Sequence, residues 1–389
     1  MRLVHYFKRM NLEDGGVVRC VLDLTATLAA AGHDVTLLTH DRTDVPEEWV
    51  AGTRGVPTVR TLPAPARALG RFGGDALRAV AGHLDGADAL HLHAMWEPTN
   101  TQLARVARRA GVPYVLSTHG MLDDWSMGQK AAKKRLYHAL VERRLLAGAA
   151  AVHCTARGEL DQAKKWFPQR LGRVVPLVFD LAPFDPGPGP ERARDAFPGF
   201  GTGEPTVVFM SRLHVKKGVE HLIDAARLLA DRGTPAQFLI AGTGEEGYVA
   251  GLRERAARAG VGARCHFLGM VSGADKVSLL QAADLSALPT SQENFGFAIV
   301  EAMAAGTPVI ITRGVDIWPE LEQSGGAVLI EQAPGPLADA IAGLASDPER
   351  LGAMSDAARG WARATFAGSA IADRYVELYR SLGAAGGDG

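Results

Sequence analysis

Cysteine is scarce in this chain: three in 389 residues, Cys20, Cys154 and Cys265. They are odd in number and far apart, which excludes a disulfide framework and a cysteine metal cage. They read as small buried residues of a reducing compartment. Long apolar runs are missing as well, so no segment is expected to span a bilayer. The start, Met1 to Phe7, is too short and too soon polar for a secretory signal, and the cytoplasm is the expected location. Excess charge of one sign is also absent. The 42 Lys and Arg balance 43 Asp and Glu to a net −1, which argues against nucleic acid as a bulk partner. No triple-glycine dinucleotide pattern follows a strand, which argues against a nicotinamide enzyme. No Asp-x-Asp stands at a strand end, so a divalent metal bridging a diphosphate is not implied. What remains, 47% hydrophobic and 22% charged residues, is the composition of a globular protein of two or three domains.

Apolar runs of strand length alternate with helix-period segments along the chain. Strands are expected at 3–7, 35–39, 56–62, 89–93, 112–117, 150–154 and 173–178. After a stretch rich in Pro and Gly, the alternation restarts at 206–210, 237–241, 265–268, 285–288, 309–311 and 327–330. This predicts an α/β protein of two Rossmann-like, doubly wound parallel-sheet domains facing a cleft. The expected division is 1–182, a linker over 183–205 with a short helix at 191–196, and 206–368. Helices are expected to close the chain, with 369–389 packing back on the first domain.

The chemistry-bearing residues fall in loops after strands, where open α/β sheets bind ligands. Gly15-Gly16 opens a helix and lets backbone approach a ligand closely. Trp96 follows the strand 89–93 and is a candidate for an acceptor pocket. His91 and His93 share a strand face. As a metal pair they lack an obvious third ligand, and they read as core or surface histidines. Arg212 and Lys217 share one strand-to-helix loop; a guanidinium binds phosphate bidentately and an ammonium supplies a point charge. Glu293 lies in the loop after 285–288 and Glu301 on the following helix, whose amino end would attract phosphate. Two carboxylates suit hydroxyls rather than phosphate, so the pattern predicts a polyhydroxylated ligand that also carries phosphate. The segment 129–146 is a helix with clustered basic residues and a stripe of Leu136, Leu140 and Leu145 or Leu146. It fits either an anionic membrane surface or an ordinary core-packed helix with a solvated face.

The stretch from Pro289 to Val309, with Phe295-Gly296-Phe297 and Glu301-Ala302-Met303-Ala304-Ala305-Gly306-Thr307-Pro308, closely resembles the donor-sugar motif of retaining GT-B glycosyltransferases of family 4. Ser211-Arg212-Leu213 with Lys216-Lys217-Gly218 resembles that family's diphosphate motif. His119-Gly120-Met121-Leu122 with Trp125 resembles a bacterial polysaccharide branch. The resemblance covers nearly the whole chain. It implies that His119 lies near an outer hydroxyl of the donor sugar, and that Gly15 and Gly16 face the diphosphate and the acceptor. It further implies that Gly242, Thr243 and Gly244 contact the nucleotide and that Met270 and Val271 lie at the base. Glu301 goes to the ribose, Glu293 to the sugar hydroxyls, and the amides of Asn294, Phe295, Gly296 and Phe297 to sugar and phosphate. His119, Arg212, Lys217 and Glu293 are therefore the catalytic candidates, and Trp96, Asp124 and Trp125 the acceptor candidates. Same-face attack with retention needs neither a metal nor a cofactor: Arg212, Lys217 and helix amino ends would offset the leaving diphosphate, each helix end by roughly 0.3–1 kcal/mol.

The implied reaction moves a sugar from a nucleoside-diphosphate sugar, uridine favoured, to an acceptor hydroxyl. A lipid-linked glycan of a capsule or exopolysaccharide is the first choice of acceptor and a small-molecule natural product the second. The implied partners are the donor, a glycan or small-molecule acceptor, and an anionic membrane touched through 129–146. Two rivals share the architecture: a nucleotide-sugar epimerase and an inactive sugar-nucleotide-binding protein. The family's tryptophan after the position of Phe366 is missing, since Ala367-Gly368 follows, which leaves the crossover of the last helix open.

Overall fold

The computed structural model describes residues 1–66 and 70–384. It divides into two compact units, Met1–Phe179 together with the C-terminal segment from Gly368, and Asp180–Ala367. Each is built on one sheet with helices between its strands.

The first unit holds β1 (Arg2–Tyr6), β2 (Asp34–Thr39), β3 (Thr58–Thr61), β4 (Ala89–His93), β5 (Tyr114–Ser117), β6 (Ala151–Cys154) and β7 (Gly172–Val174). They form one parallel sheet in the order β3-β2-β1-β4-β5-β6-β7. β4, β5 and β6 are buried along their whole length, as expected of a parallel sheet covered on both faces. Strand order reverses between β1 and β4, so the loops after these two strands frame the crevice of the sheet. The last helix, Gly368–Ala384, belongs to this unit. Its Ile371, Tyr375 and Tyr379 are almost wholly buried.

The second unit holds β8 (Thr206–Met210), β9 (Gln237–Ala241), β10 (Cys265–Gly269), β11 (Leu285–Leu288), β12 (Val309–Thr312) and β13 (Ala327–Ile330). These too are all parallel, in the order β10-β9-β8-β11-β12-β13. Here the order reverses between β8 and β11. The helix Val219–Asp231 buries Val219, Leu222, Ile223, Ala226 and Leu229, a three-and-four spacing that puts one stripe against the core.

Three local expectations differ from the structure. Residues 183–205, read as a linker, pack on the second unit: Ala193 N–H donates to Ser278 Oγ at 2.9 Å and Gly189 N–H to Gln281 Oε1 at 2.9 Å. Proline and glycine break regular structure, but they leave backbone groups that side chains can satisfy. The strand expected at 173–178 shrinks to Gly172–Val174, because Pro176 cannot extend the ladder. The helix expected over 129–146 is interrupted by a π-turn, His138–Glu142, between Ala131–Tyr137 and Arg143–Ala147.

Candidate functional site

In the second unit, the reversal point places the loop after β8 beside the loop after β11. The two are tied together by backbone: Ser291 N–H donates to the Lys216 carbonyl at 2.8 Å and Thr290 Oγ1 donates to the same oxygen at 3.0 Å. Gly218 makes the contact possible. Its φ is 71°, and a Cβ there would lie 2.2 Å from the Pro289 carbonyl oxygen. The result brings Lys217, only 5% exposed, into an ion pair with Glu293. Its neighbour Lys216 turns away to Gln292 Oε1 at 3.1 Å. Arg212 stays exposed with no ion-pair partner among the described residues.

Glu293 is held by its own backbone, donating to the Gly314 carbonyl at 2.7 Å and accepting from Asp316 N–H at 2.9 Å. Three residues on, Gly296 (φ 72°) starts the helix Phe297–Ala305, and no side chain caps it. Its first N–H groups therefore lack an intrahelical acceptor. Phe295 is buried and anchors the turn edge-to-face on Phe297 and Phe366. Asn294 Nδ2 donates to Asp316 Oδ2 at 3.2 Å. Glu301, one turn into the helix, pairs with Lys276 at 2.5 Å. Lys276 is the residue that sequence reasoning missed. It sits in the first turn of the helix Gly273–Ala282 after β10, a position that the strand-end rule could have found.

The loops after β9 and β10 border the same edge. Gly242 (φ 137°) donates to the Gly269 carbonyl at 2.7 Å, and Thr243 accepts from Leu213 N–H at 2.8 Å. Gly244 bridges Leu213. A cavity of about 440 Å³ opens here, lined by Leu213, Gly242, Gly244, Arg253, Phe267 and Gly269. Met270 is 70% exposed beside it and Val271 half-buried. The unit thus gathers, at one sheet edge, three cations (Arg212, Lys217 and Lys276), two carboxylates, a bare helix start and glycine-bordered backbone. Such an edge can take a diphosphate and hydroxyls together.

In the first unit the crevice lies after β1 and β4. Gly15 (φ 114°) precedes the uncapped helix Gly16–Ala30. Nothing lies within 4 Å of where a Cβ would stand on Gly15 or Gly16, which leaves room for a ligand. After β4, Ala94 and Trp96 take left-handed backbone, φ 68° and 66°, unusual for residues with a Cβ. Trp96 N–H donates to Glu142 Oε1 at 2.9 Å, and Lys134 Nζ sits over the indole at 5.4 Å. Glu142 projects from the π-turn. Burial, with Glu97 adding to it, pushes its carboxyl up to about 7 against the bond from Trp96. Asp124 lies on the surface as the partner of Lys165, and Trp125 is 46% exposed.

His119, half-buried and with φ 48°, ends a chain of rings that are otherwise buried. His93 Nδ1 lies 3.3 Å from His119 Nε2, and His5 Nδ1 lies 3.1 Å from His93 Nε2. His91 is bonded on both sides, to Tyr379 Oη at 2.7 Å and Ser117 Oγ at 2.6 Å; Ser117 in turn meets His153. His5 is the third histidine that the pair His91 and His93 lacked in sequence, with ring nitrogens within 4.8 Å of one another. The rings of His91 and His93 stack at 4.2 Å, and both nitrogens of His91 are engaged, which is packing geometry more than ligation. Burial holds these imidazoles neutral, His5 at about 3 and His119 at about 4. The turn carrying His119 is fixed by buried Glu159, which accepts from Thr118 Oγ1, Gly120 N–H and Thr155 N–H, each at 2.6 Å.

Two family models match the chain: "Glycosyl transferase 4-like domain" over residues 15–177 and "Glycosyl transferases group 1" over 191–361. A GDP-mannose-dependent alpha-(1-6)-phosphatidylinositol dimannoside mannosyltransferase of Mycobacterium tuberculosis is 29% identical, over 90% of this chain and 89% of that protein. A phosphatidyl-myo-inositol mannosyltransferase of the same species is 31% identical, over 76% and 73%. Among solved structures, Anabaena HepE in complex with UDP matches with a TM-score of 0.74 at 20% identity, covering 98% of this chain and 100% of that one. WaaG, a glycosyltransferase involved in lipopolysaccharide biosynthesis, matches with a TM-score of 0.64 at 18% identity, covering 95% and 98%.

Proposed function

Because the chain belongs to the family 4 glycosyltransferases of the GT-B fold, and transfers sugar from a nucleotide-sugar donor, we propose that it works with retention and without metal on a lipid-linked acceptor. One observation carries this reading: the reversal point of the second sheet joins buried Lys217, Glu293 and an uncapped helix start, with Arg212 free beside them. Lys217 and Arg212 would offset the charge of the leaving diphosphate as it forms. Glu293, with Lys217 as its counter-ion, would hold sugar hydroxyls, and Glu301 the ribose. No carboxylate is needed as a nucleophile, since a leaving phosphate oxygen can take the acceptor's proton. His119, neutral by burial, would offer a hydrogen bond to the sugar without adding charge.

For the base, uridine was expected on frequency alone. The likeness to HepE with its UDP is one of fold, whereas the mannosyltransferase at 29% identity is named for GDP-mannose. We therefore put GDP-mannose first among donors to try and UDP-sugars second. For the acceptor, the names of the sequence relatives favour an inositol-containing lipid over a capsule or exopolysaccharide intermediate. Peripheral membrane contact through 129–146 would bring such an acceptor within reach. No helix of the described residues is long and apolar enough to cross a membrane.

The test is transfer of labelled sugar to a mycobacterial-type phosphatidylinositol acceptor. Lys217→Ala and Glu301→Ala should each lower turnover by about a hundred-fold or more, with circular dichroism unchanged. Normal turnover in both would refute the assignment. Donor hydrolysis without acceptor separates a live enzyme from an inactive binder, and release of an altered sugar would point to an epimerase.

A further inference from the structure

The buried histidines of the first unit bear on how His119 acts. β1, β4 and β5 are neighbours in the sheet, and their register sets His5 beside His91 and His93 beside Ser117. His93 stands two residues beyond His91, on the same face, and His119 lies two residues beyond the end of β5. Two chains of hydrogen bonds run through these side chains. Burial keeps the rings neutral, and a neutral imidazole carries one donor and one acceptor. The direction of each chain is therefore decided at its end.

One chain ends at Val175, whose carbonyl can only accept. His153 Nε2 donates to it at 2.8 Å, and His153 Nδ1 accepts from Ser117 Oγ at 2.6 Å. Ser117 Oγ accepts in turn from His91 Nε2 at 2.6 Å, and His91 Nδ1 from Tyr379 Oη at 2.7 Å. His91 is thereby fixed, and it stacks on His93 at 4.2 Å, which holds the plane of that ring. The other chain joins His5 Nδ1 to His93 Nε2 at 3.1 Å and His93 Nδ1 to His119 Nε2 at 3.3 Å. Its inner end is His5 Nε2, buried with no protein partner among the described residues. If the protons point inward, His119 donates to His93 and His93 to His5, and His5 keeps a buried N–H with no acceptor. If they point outward, His5 donates to His93 and His93 to His119, and only a lone pair is left over. An orphaned buried N–H is rarer and costlier than an under-used acceptor, so the outward direction wins. His119 Nε2 then accepts. Its single proton sits on Nδ1, which meets no protein group among the described residues.

We propose that His5 and His93 are positioning residues that hold His119 as its Nδ1–H tautomer, so that it presents a hydrogen-bond donor, not a lone pair, to the donor sugar. Its use in transfer rests on the sugar contact proposed above for His119; the tautomer itself does not. An imidazole left alone favours the proton on Nε2, so the chain imposes the less common form. A sugar hydroxyl that accepts from Nδ1 keeps its own proton to give to another group.

The test reads the ring nitrogens of His119 by nitrogen–proton NMR correlation in ligand-free, full-length protein labelled at histidine, above the histidine titration range, with His119→Asn assigning the signals. The proton should sit on Nδ1 by about ten to one or more over Nε2. A proton on Nε2, or an even mixture, would overturn the proposal. His5→Phe should return His119 towards Nε2–H. His5→Asn, whose amide nitrogen can stand where Nδ1 stood, should keep Nδ1–H. An unchanged His119 in His5→Phe would show that the chain is not the cause and would also overturn it. Should His5→Phe fail to fold, the wild-type spectrum and His5→Asn still decide. Hydrolysis of GDP-mannose and of UDP-glucose supplies the second readout. His5→Phe should lower kcat/KM about three- to ten-fold, and His5→Asn should recover most of it. In a His119→Ala background, His5→Phe should have no further effect, since two residues acting through one group are not additive. An equal loss in both backgrounds would mean a general disturbance of the fold and would overturn the proposal. Nδ1–H on His119 together with full turnover of His119→Ala would support the tautomer and refute the sugar contact.

Discussion

At the residue scale, buried titratable groups in the first unit set its response to pH. His5, His91, His93, His119 and His153 are held below the ordinary histidine range by burial, and neighbouring imidazoles add to it at His91, His93 and His119. Below about pH 6.5 the unfolded chain binds protons that the folded chain refuses. Stability is therefore complete above that value and falls with acidification, by up to about 1.4 kcal/mol per pH unit for each such group. Glu142 has the opposite sign. Its folded carboxyl is raised to about 7, so its contribution is present below the unfolded value and is lost as pH rises through 7. Two outcomes follow. Melting temperature should fall steadily from pH 6.5 to 5, with a shallower slope in His5→Phe. Glu142→Gln should raise stability above pH 7, on the order of 1–3 kcal/mol, and leave it unchanged below pH 5; melting curves across pH check both. Glu159 is different again. Burial by itself would raise its carboxyl, yet the donors on Thr118, Gly120 and Thr155 outweigh burial and hold it low. Histidines and acids such as these are visible in sequence, but their burial is not. A histidine on an apolar strand reads the same whether it faces solvent or four other imidazoles.

At the element scale, parallel strands and the helices between them were legible because burial on both faces forces unbroken apolar runs. β4, β8, β9, β11 and β13 have the bounds expected from composition. The short helix Glu47–Ala51 was not legible, being five residues in a stretch rich in Pro, Gly and Arg. Nor was the π-turn, since an added residue leaves helical periodicity almost unchanged. Glycine positions carry more. Gly242 has φ 137°, and a Cβ would stand 1.8 Å from the Ser211 carbonyl oxygen. Gly242→Ala should part the loop after β9 from that after β8, at a cost of about 1–3 kcal/mol. It should also weaken nucleotide binding; calorimetric titration with GDP and UDP checks this, and wild-type affinity would show that the turn is not part of the donor site.

At the scale of the whole molecule, the chain forms two units, and the C-terminal helix belongs to the first although it follows the second in sequence. Tyr375 and Tyr379 sit on the buried histidine cluster, Tyr379 Oη 2.7 Å from His91 Nδ1. Removing residues 368–389 should therefore destabilise the first unit and leave nucleotide binding in the second. In a two-transition melt, saturating nucleotide should raise one transition, by about 2.7 kcal/mol at a hundred times its dissociation constant, in the truncated chain as in the full one. Loss of that shift on truncation would contradict the division.

Sequence alone determined the alternation of strand and helix, the restart after residue 205, and the placing of Arg212, Lys217 and Glu293 in loops at strand ends. Period and chain punctuation are local, so one strand with its neighbours suffices to encode them. Only the tertiary structure decided that Lys217 meets Glu293 across 76 residues, that Lys276 reaches Glu301, and that four arginines from three separated segments share one cavity. Those pairings follow from strand order and helix packing, which join distant parts of the chain and leave no mark on the residues beside them.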